Sequence, residues 1–125
     1  MAKTTVALTP AGDAAATQLD DFNLPEIVDR VRLGFAYAVS NGFDLERPDG
    51  FGVPGGKDNY TSSTATLDND RKIRDLVEAI YGELDEPYLA VETLANKGLV
   101  AIAEALDRGE ISSISDLLPR LDPVA

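Results

Sequence analysis

The chain contains neither cysteine nor histidine among its 125 residues. Without cysteine there is no thiol nucleophile, and without histidine there is no imidazole base and no serine–histidine pair. The same absence excludes cysteine and histidine sites for zinc or an iron–sulfur cluster. We therefore expect a binding or scaffolding protein rather than an enzyme, with no catalytic residues, no cofactor and no metal.

Basic residues are scarce: 11 lysines and arginines face 22 acidic residues, which gives a net charge of −11. Such a charge can serve solubility, attract a basic partner, or reflect adaptation to concentrated salt, which screens charge repulsion within about 3 Å at 1 M. The scarcity of lysine, the preference for arginine and the abundance of aspartate and alanine favour the third explanation. We therefore predict a halophilic source, in which case the acidic surface says little about ligands.

Long apolar runs are also missing. No stretch approaches the roughly 20 apolar residues that cross a membrane, and residues 1–6 lack the apolar core of a signal peptide. We expect a cytoplasmic protein with no membrane association. The hydrophobic fraction of 44% is sufficient for a core, and the length predicts one helical domain over residues 1–125.

The first half of the chain predicts a strand and two helices. Residues 4–8 form a short extended stretch, and Thr9 with Pro10 is typical of a helix start. We predict helices over residues 10–20 and from about residue 23 to residue 40. The second has an apolar stripe at helical spacing, formed by Ile27, Val31, Phe35 and Ala38.

The second half predicts two longer helices and a short last one. A third helix follows Asp68 as its cap, with an expected core face of Ile73, Leu76, Val77 and Ile80. A fourth helix extends from about Asp85 through Arg108. Gly98 lies in its middle, where glycine costs about 1 kcal/mol relative to alanine, so we predict a close helix approach there. A last short helix begins near Ser112 and ends before Pro119.

Residues 43–66 are rich in glycine and proline and show no helical period, so we predict one long loop. A loop longer than about 15 residues in a compact domain is usually functional or mobile. The predicted fold is therefore mainly α: a compact bundle of four to five helices with a short N-terminal strand and a long Gly-rich loop.

Two sequence patterns in and beside this loop are similar to parts of ligand sites. Residues 50–55 match G-x-G-x-x-G as text, but an acidic stretch precedes them and no helix follows directly, so the nucleotide fingerprint is incomplete. Acidic clusters occur at residues 44–49 and 68–70. In so acidic a chain we interpret them as solvated carboxylates rather than a cation site.

The densest basic cluster is Arg71, Lys72 and Arg74, which fall in the first turn of the predicted third helix. Such a cluster can contact a phosphate backbone, and Arg30 and Arg32 on the second helix are further candidates. The alternative is that these cations form salt bridges with the surrounding aspartates and glutamates. The sequence leaves both interpretations open.

Three stretches of the chain resemble the DndE family, the small helical subunit of DNA phosphorothioation systems. Residues 8–19 and 24–40 look like its opening helix pair, with Arg30 inside the second. Residues 59–61, Asn-Tyr-Thr, look like its central element. Residues 96–118 look like its long helix, glycine and short Leu-Leu helix.

This resemblance implies a non-enzymatic accessory subunit that contacts duplex DNA, including nicked duplex, and partner subunits of the modification complex. It also implies homo-oligomerisation and basic surface residues as the DNA contact. Arg30 and Lys97 fall inside the resembling stretches, and the charge argument supplies the others. The candidate DNA-binding residues are Arg30, Lys57, Arg71, Lys72, Arg74 and Lys97.

Two alternatives stay open at this point. The strand–helix–helix start also resembles a ribbon-helix-helix regulator, which pairs its strand with a second chain and points Lys3, Thr5 and Ala7 into the major groove. The other alternative is a structural adaptor that makes no DNA contact.

Overall fold

The computed structural model describes residues 5–19, 24, 26–55 and 59–110. The described elements confirm a mainly helical bundle with a short N-terminal strand. In chain order they are β1 (Thr5–Ala7), α1 (Pro10–Thr17), α2 (Ile27–Ser40), a 3-10 turn (Asp49–Phe51), β2 (Thr61–Ser63), α3 (Thr64–Leu67), α4 (Lys72–Tyr81) and α5 (Pro87–Asp107).

The long helix α5 is the centre of the core, and α1, α2, α4 and β1 all pack against it. Its apolar side chains at helical spacing face the interior, where Val91, Leu94 and Ile102 are fully buried. The predicted α2 stripe is confirmed, with Val31, Phe35 and Ala38 buried against α5. Burial of these side chains supplies the main driving force for folding.

Helices α2 and α5 approach most closely where two glycines meet. A Cβ atom on Gly98 would overlap the carbonyl oxygen of Gly34, and a Cβ atom on Gly34 would lie 2.6 Å from the carbonyl oxygen of Ala95. The close approach predicted at Gly98 is thus confirmed. The backbones can touch only because neither position carries a side chain.

Strand β1 has hydrogen-bonding partners on both of its edges. One edge pairs antiparallel with β2, so that Val6 faces Ser62. On the other side, Ala7 N donates to Glu92 Oε2 (2.9 Å), and Asn96 Nδ2 donates to Ala7 O (3.1 Å). Because the backbone groups of Ala7 on that second edge are engaged within the chain, the described strand does not offer them to a second chain, as a ribbon-helix-helix protein requires.

The loop prediction is wrong at its C-terminal end. Residues 61–63 form β2, and α3 begins at Thr64, so structured chain starts before residue 66. Elements of three and four residues are too short to show a period in the sequence. Before residue 56 the predicted loop contains the 3-10 turn Asp49–Phe51, and Gly55 N donates to Leu8 O (3.0 Å), which ties this segment to the residue after β1.

The prediction for the third helix needs two corrections. The helix begins at Lys72 rather than directly after Asp68. Its expected core face is only partly buried, because Val77 is enclosed while Leu76 and Ile80 are 43% and 50% exposed. Helix α4 lies at the edge of the bundle and packs on α5 through one side, so the neighbouring apolar positions face solvent.

The short helix predicted after Ser112 lies outside the described residues. Within the described part of the chain, no helix combines the length and the apolar character that a membrane crossing requires.

Candidate nucleic-acid interface

The turn between α3 and α4 is built around the buried carboxylate of Asp68, which is 4% exposed. Its Oδ1 accepts from Ile73 N (2.9 Å), and its Oδ2 accepts from Arg74 N (3.0 Å) and from the Tyr88 hydroxyl (2.9 Å). The carboxylate thereby caps the N-terminus of α4 and complements its dipole. An external anion at this turn must therefore be bound by side chains.

Tyr88 reaches this turn from the start of α5. Burial, and after it the hydrogen bond to Asp68, raises the pKa of its phenol to about 12. Tyr88 is consequently a protonated donor at neutral pH. Its hydrogen bond joins α5 to the beginning of α4 and holds the turn in place.

Arg71 is the N-cap residue of α4 and has left-handed backbone angles, φ 62° and ψ 15°. Among the described residues it is the one non-glycine residue with a positive φ. The side chain is exposed, and it makes no hydrogen bond or ion pair with any described residue. Its guanidinium is therefore available to solvent and to an anionic ligand.

Lys72 and Arg74 follow Arg71 on the same turn, and each has an acidic neighbour. Lys72 Nζ lies 3.8 Å from Asp70 Oδ2, and Arg74 Nε lies 3.1 Å from Glu78 Oε1. The salt-bridge interpretation is thus observed for Lys72 and Arg74, and the phosphate contact stays a prediction. Exposed ion pairs of this kind contribute only about 0–1 kcal/mol, so a phosphate group can compete with them.

Arg32 extends this cationic surface from α2. Its Nε and Nη2 atoms donate to the carbonyl oxygens of Leu67 (3.0 Å) and Thr66 (2.9 Å), and Nη1 pairs with Asp29 (2.9 Å). These bonds satisfy carbonyls at the end of α3 and place the guanidinium beside the turn that precedes α4. We define the basic edge as Arg32, Arg71, Lys72 and Arg74.

Arg30 lies in the interior rather than at the basic edge. Its side chain is buried, with Nε donating to Leu24 O (2.7 Å) and Nη1 to Ala16 O (2.9 Å). The guanidinium joins the end of α1 to α2 and satisfies carbonyls that the end of a helix leaves open. Arg30 therefore belongs to the fold and not to the surface.

Lys97 is also occupied by a structural task. Its Nζ donates to Asp44 O (2.8 Å), Asp44 Oδ1 (2.6 Å) and Glu46 O (3.1 Å), and it lies 6.0 Å from the centre of the Phe43 ring. The hydrogen bond from Lys97 lowers the pKa of the Asp44 carboxyl. Lys97 thus fastens the segment after α2 to α5, away from the basic edge.

The remaining candidate, Lys57, lies outside the described residues. Of the predicted set, the structure brings together Arg71, Lys72 and Arg74, adds Arg32, and separates Arg30 and Lys97 from them. The acidic residues show no metal-binding arrangement in the described ranges, where no three potential ligands come together.

Comparison with known proteins finds similarity at the level of structure. No protein-family model matches the chain, and no curated protein matches its sequence. The crystal structure of DndE from Escherichia coli B7A superposes with a TM-score of 0.56, covering 82% of this chain and 99% of that one at 18% identity. The chain has a DndE-like fold. The resemblance seen in the sequence is therefore confirmed for the fold, and that DndE is described as involved in DNA phosphorothioation modification.

Sequence reasoning missed two features of this site. The Asp68–Tyr88 hydrogen bond joins residues 20 positions apart on different elements, and no sequence spacing signals such a pair. The left-handed backbone at Arg71 was missed because arginine is not typical of that conformation. The capping role of Asp68 could be predicted, because an aspartate before an apolar periodic stretch is a known helix-start signal.

Proposed function

We propose that this chain is a non-enzymatic accessory subunit of a DNA phosphorothioation system and contacts the backbone of duplex DNA, including nicked duplex. The observation that carries the proposal is the DndE-like fold, which extends over 99% of the DndE chain. The chemistry of the chain is consistent with it, because a protein without cysteine or histidine lacks the usual groups for sulfur transfer and acid–base catalysis.

The basic edge is the proposed DNA-contacting surface. Arg71, Lys72 and Arg74 lie on one exposed turn, and Arg32 flanks them. Phosphate contacts from arginine and lysine position a protein on duplex DNA without reading its sequence. Lys57 is kept as a predicted contact from the sequence. Arg30 and Lys97 are left out because their side chains are mostly buried, whereas that of Arg32 is 40% exposed.

The proposal also includes contacts with partner subunits of the modification complex, self-association and a cytoplasmic location. Leu76 and Ile80, four residues apart on α4, present exposed apolar side chains on one helix face. Exposed apolar groups placed side by side are typical of protein–protein contacts. This surface gives the subunit a means of assembly that is independent of its DNA contact.

The test is a titration of fluorescent intact, nicked and single-stranded DNA at low salt with the wild type and the Arg71→Gln/Lys72→Gln variant. We expect the wild type to bind nicked duplex and the variant to bind it about 10-fold or more weakly, because two phosphate contacts are lost. Circular dichroism of both proteins checks that the fold is kept.

A matched control carries Arg108→Gln and Gln18→Glu, which lowers the net charge by two, as the test variant does. Both control positions are exposed, and Arg108 follows α5 at the end opposite to Tyr88, about 30 Å along the helix axis. We expect this control to bind nearly as the wild type does. Equal losses in both variants would contradict a local DNA contact.

A structural adaptor without DNA contact is the second candidate, favoured by the acidic partners of Lys72 and Arg74 and by the net charge of −11. This candidate predicts no DNA binding at any salt concentration. It also predicts normal assembly with partner subunits after the basic edge is neutralised, as measured by co-purification of the complex.

A further inference from the structure

We infer that Arg71 is the principal phosphate contact of the basic edge, and that the chain keeps a strained backbone at this position for the sake of its side chain. The inference rests on the proposed function, since it names one residue of the proposed surface. It goes beyond that function because it assigns most of the phosphate affinity to Arg71 and less to Lys72 and Arg74, which the sequence presents as one cluster.

The backbone of Arg71 has a conformation that favours glycine. At φ 62° the Cβ atom of any L-residue is crowded by its own backbone, whereas glycine adopts this conformation without that penalty. The turn itself needs only the backbone, because Arg71 N donates to Asp68 O (3.2 Å) and Arg71 O accepts from Asp75 N (2.9 Å). Glycine would make both bonds, so the fold gives no reason for arginine.

The Arg71 side chain also differs from the other cations of the basic edge in its surroundings. Lys72 and Arg74 each lie beside a carboxylate, and Arg32 donates to two carbonyls and to Asp29. The Arg71 guanidinium has no such partner among the described residues. An anion that approaches the basic edge therefore meets one cation that need not first give up a bond to the described part of the chain.

The chemistry of the group defines the ligand. A guanidinium presents planar paired donors that match two oxygens of one phosphate, whereas an ammonium acts as a point charge. The backbone N–H groups of Ile73 and Arg74 are already bound to Asp68 and cannot replace it. The expected ligand is a phosphodiester group of the DNA backbone, bound by the side chain alone.

The test compares three single variants for affinity to nicked duplex at low salt and for thermal stability. Arg71→Gly removes the side chain and relieves the backbone, so we expect about 10-fold weaker binding together with a Tm about 2–4 °C higher. Arg71→Lys keeps the charge without the paired donors and should bind with intermediate affinity. Lys72→Gln tests the ranking within the basic edge and should weaken binding less than Arg71→Gly does, by less than about 3-fold. The Arg108→Gln/Gln18→Glu protein, changed outside the basic edge, is the control and should bind nearly as the wild type does.

The outcomes separate failure of this inference from failure of the proposed function. If the wild type does not bind duplex DNA, the proposed DNA contact itself is wrong. If the wild type binds and Arg71→Gly binds equally well, the DNA contact stands and the assignment of Arg71 is overturned. A Tm of Arg71→Gly at or below that of the wild type would overturn the claim that the backbone is strained for the side chain.

Discussion

Asp68 shows how one side chain organises the candidate site. It lies in the interior, and two backbone N–H groups and one phenol donate to its oxygens. These bonds satisfy the oxygens of a carboxyl group that is withdrawn from water. The same bonds fix the first turn of α4 and thereby the positions from which Arg71, Lys72 and Arg74 extend. The carboxylate therefore supports the basic edge without being part of it.

The phenol that donates to Asp68 gives a prediction about pH. The pKa of Tyr88 is raised from 10.0 to about 12, so the folded protein holds this proton more tightly than the unfolded chain does. The associated stability is fully present below pH 10 and is lost as the pH rises toward 12. Phenolate absorbance should show a tyrosine that titrates near pH 12 in the wild type and is absent from Tyr88→Phe. A midpoint near 10 for that residue would contradict the arrangement.

Arg30 gives a second prediction at this scale. Arg30→Ala removes the donors to Ala16 O and Leu24 O and leaves these carbonyls without that partner, so we expect the free energy of unfolding to fall by about 2–4 kcal/mol. Urea denaturation measures this change. Arg108→Ala, at an exposed arginine, is the control and should change stability by about 0.5 kcal/mol or less. A loss of DNA affinity in Arg30→Ala without a loss of stability would return Arg30 to the interface.

At the scale of elements, the fold depends on the crossing of α2 and α5. The helices touch at Gly34 and Gly98, and their buried stripes meet on both sides of that contact. Tightly packed interiors respond to the addition of a single methyl group, because neighbouring backbones cannot move apart without losing other contacts.

Gly98→Ala should therefore destabilise the protein despite the higher helix propensity of alanine. We expect a loss of about 1–3 kcal/mol in the free energy of unfolding, measured by urea denaturation. Gly50→Ala is the matched control, since a Cβ atom there would meet nothing within 4 Å. If Gly98→Ala were as stable as the wild type, the close contact between the helices would be wrong.

The elements also show what could be predicted from the sequence. Helices α2 and α5 were predictable because long apolar stripes carry a clear period. The start of α1 was predictable from Thr9 followed by Pro10, and the structure confirms this cap, since Thr9 Oγ1 accepts from Gly12 N. The short elements β2 and α3 were not, since three or four residues carry no period. The prediction that Leu76 and Ile80 on α4 are buried was wrong, because the period of an apolar stripe does not tell how much of the stripe a neighbouring element covers.

The candidate site was also predictable only in part from the sequence. Arg71, Lys72 and Arg74 were predictable as a cluster because they are adjacent in the chain. The interior position of Arg30 and the attachment of Lys97 to Asp44 depend on contacts with residues far away in sequence. Charge alone does not tell whether a cation faces solvent or satisfies oxygens within the fold.

For the whole molecule, the dominant property is a net charge of −11 on 125 residues. Repulsion among these charges opposes the compact state, and dissolved salt screens it. If the chain is adapted to concentrated salt, its Tm should rise by several degrees between low salt and about 1 M KCl, where the screening length is about 3 Å. A Tm that stays constant or falls over this range would contradict the prediction of a halophilic source.

The same charge restricts how the molecule can meet DNA. A duplex and an acidic protein repel each other over most of their surfaces. Under the proposed function we therefore expect the contact at the basic edge and expect it to weaken steeply as salt increases. Assembly with partner subunits can supply the remaining affinity, because linked binding sites raise the effective concentration of each.

The most direct test of the central claim is the salt dependence of nicked-duplex binding. With Arg71, Lys72 and Arg74 on phosphates, a plot of log affinity against log salt should have a slope of about −2 to −3, and Arg71→Gln/Lys72→Gln should reduce its magnitude by about 2. The control Arg108→Gln/Gln18→Glu should keep the wild-type slope. Absence of binding even at the lowest salt, or the same slope in all three proteins, would contradict the proposal that this subunit contacts DNA through the basic edge.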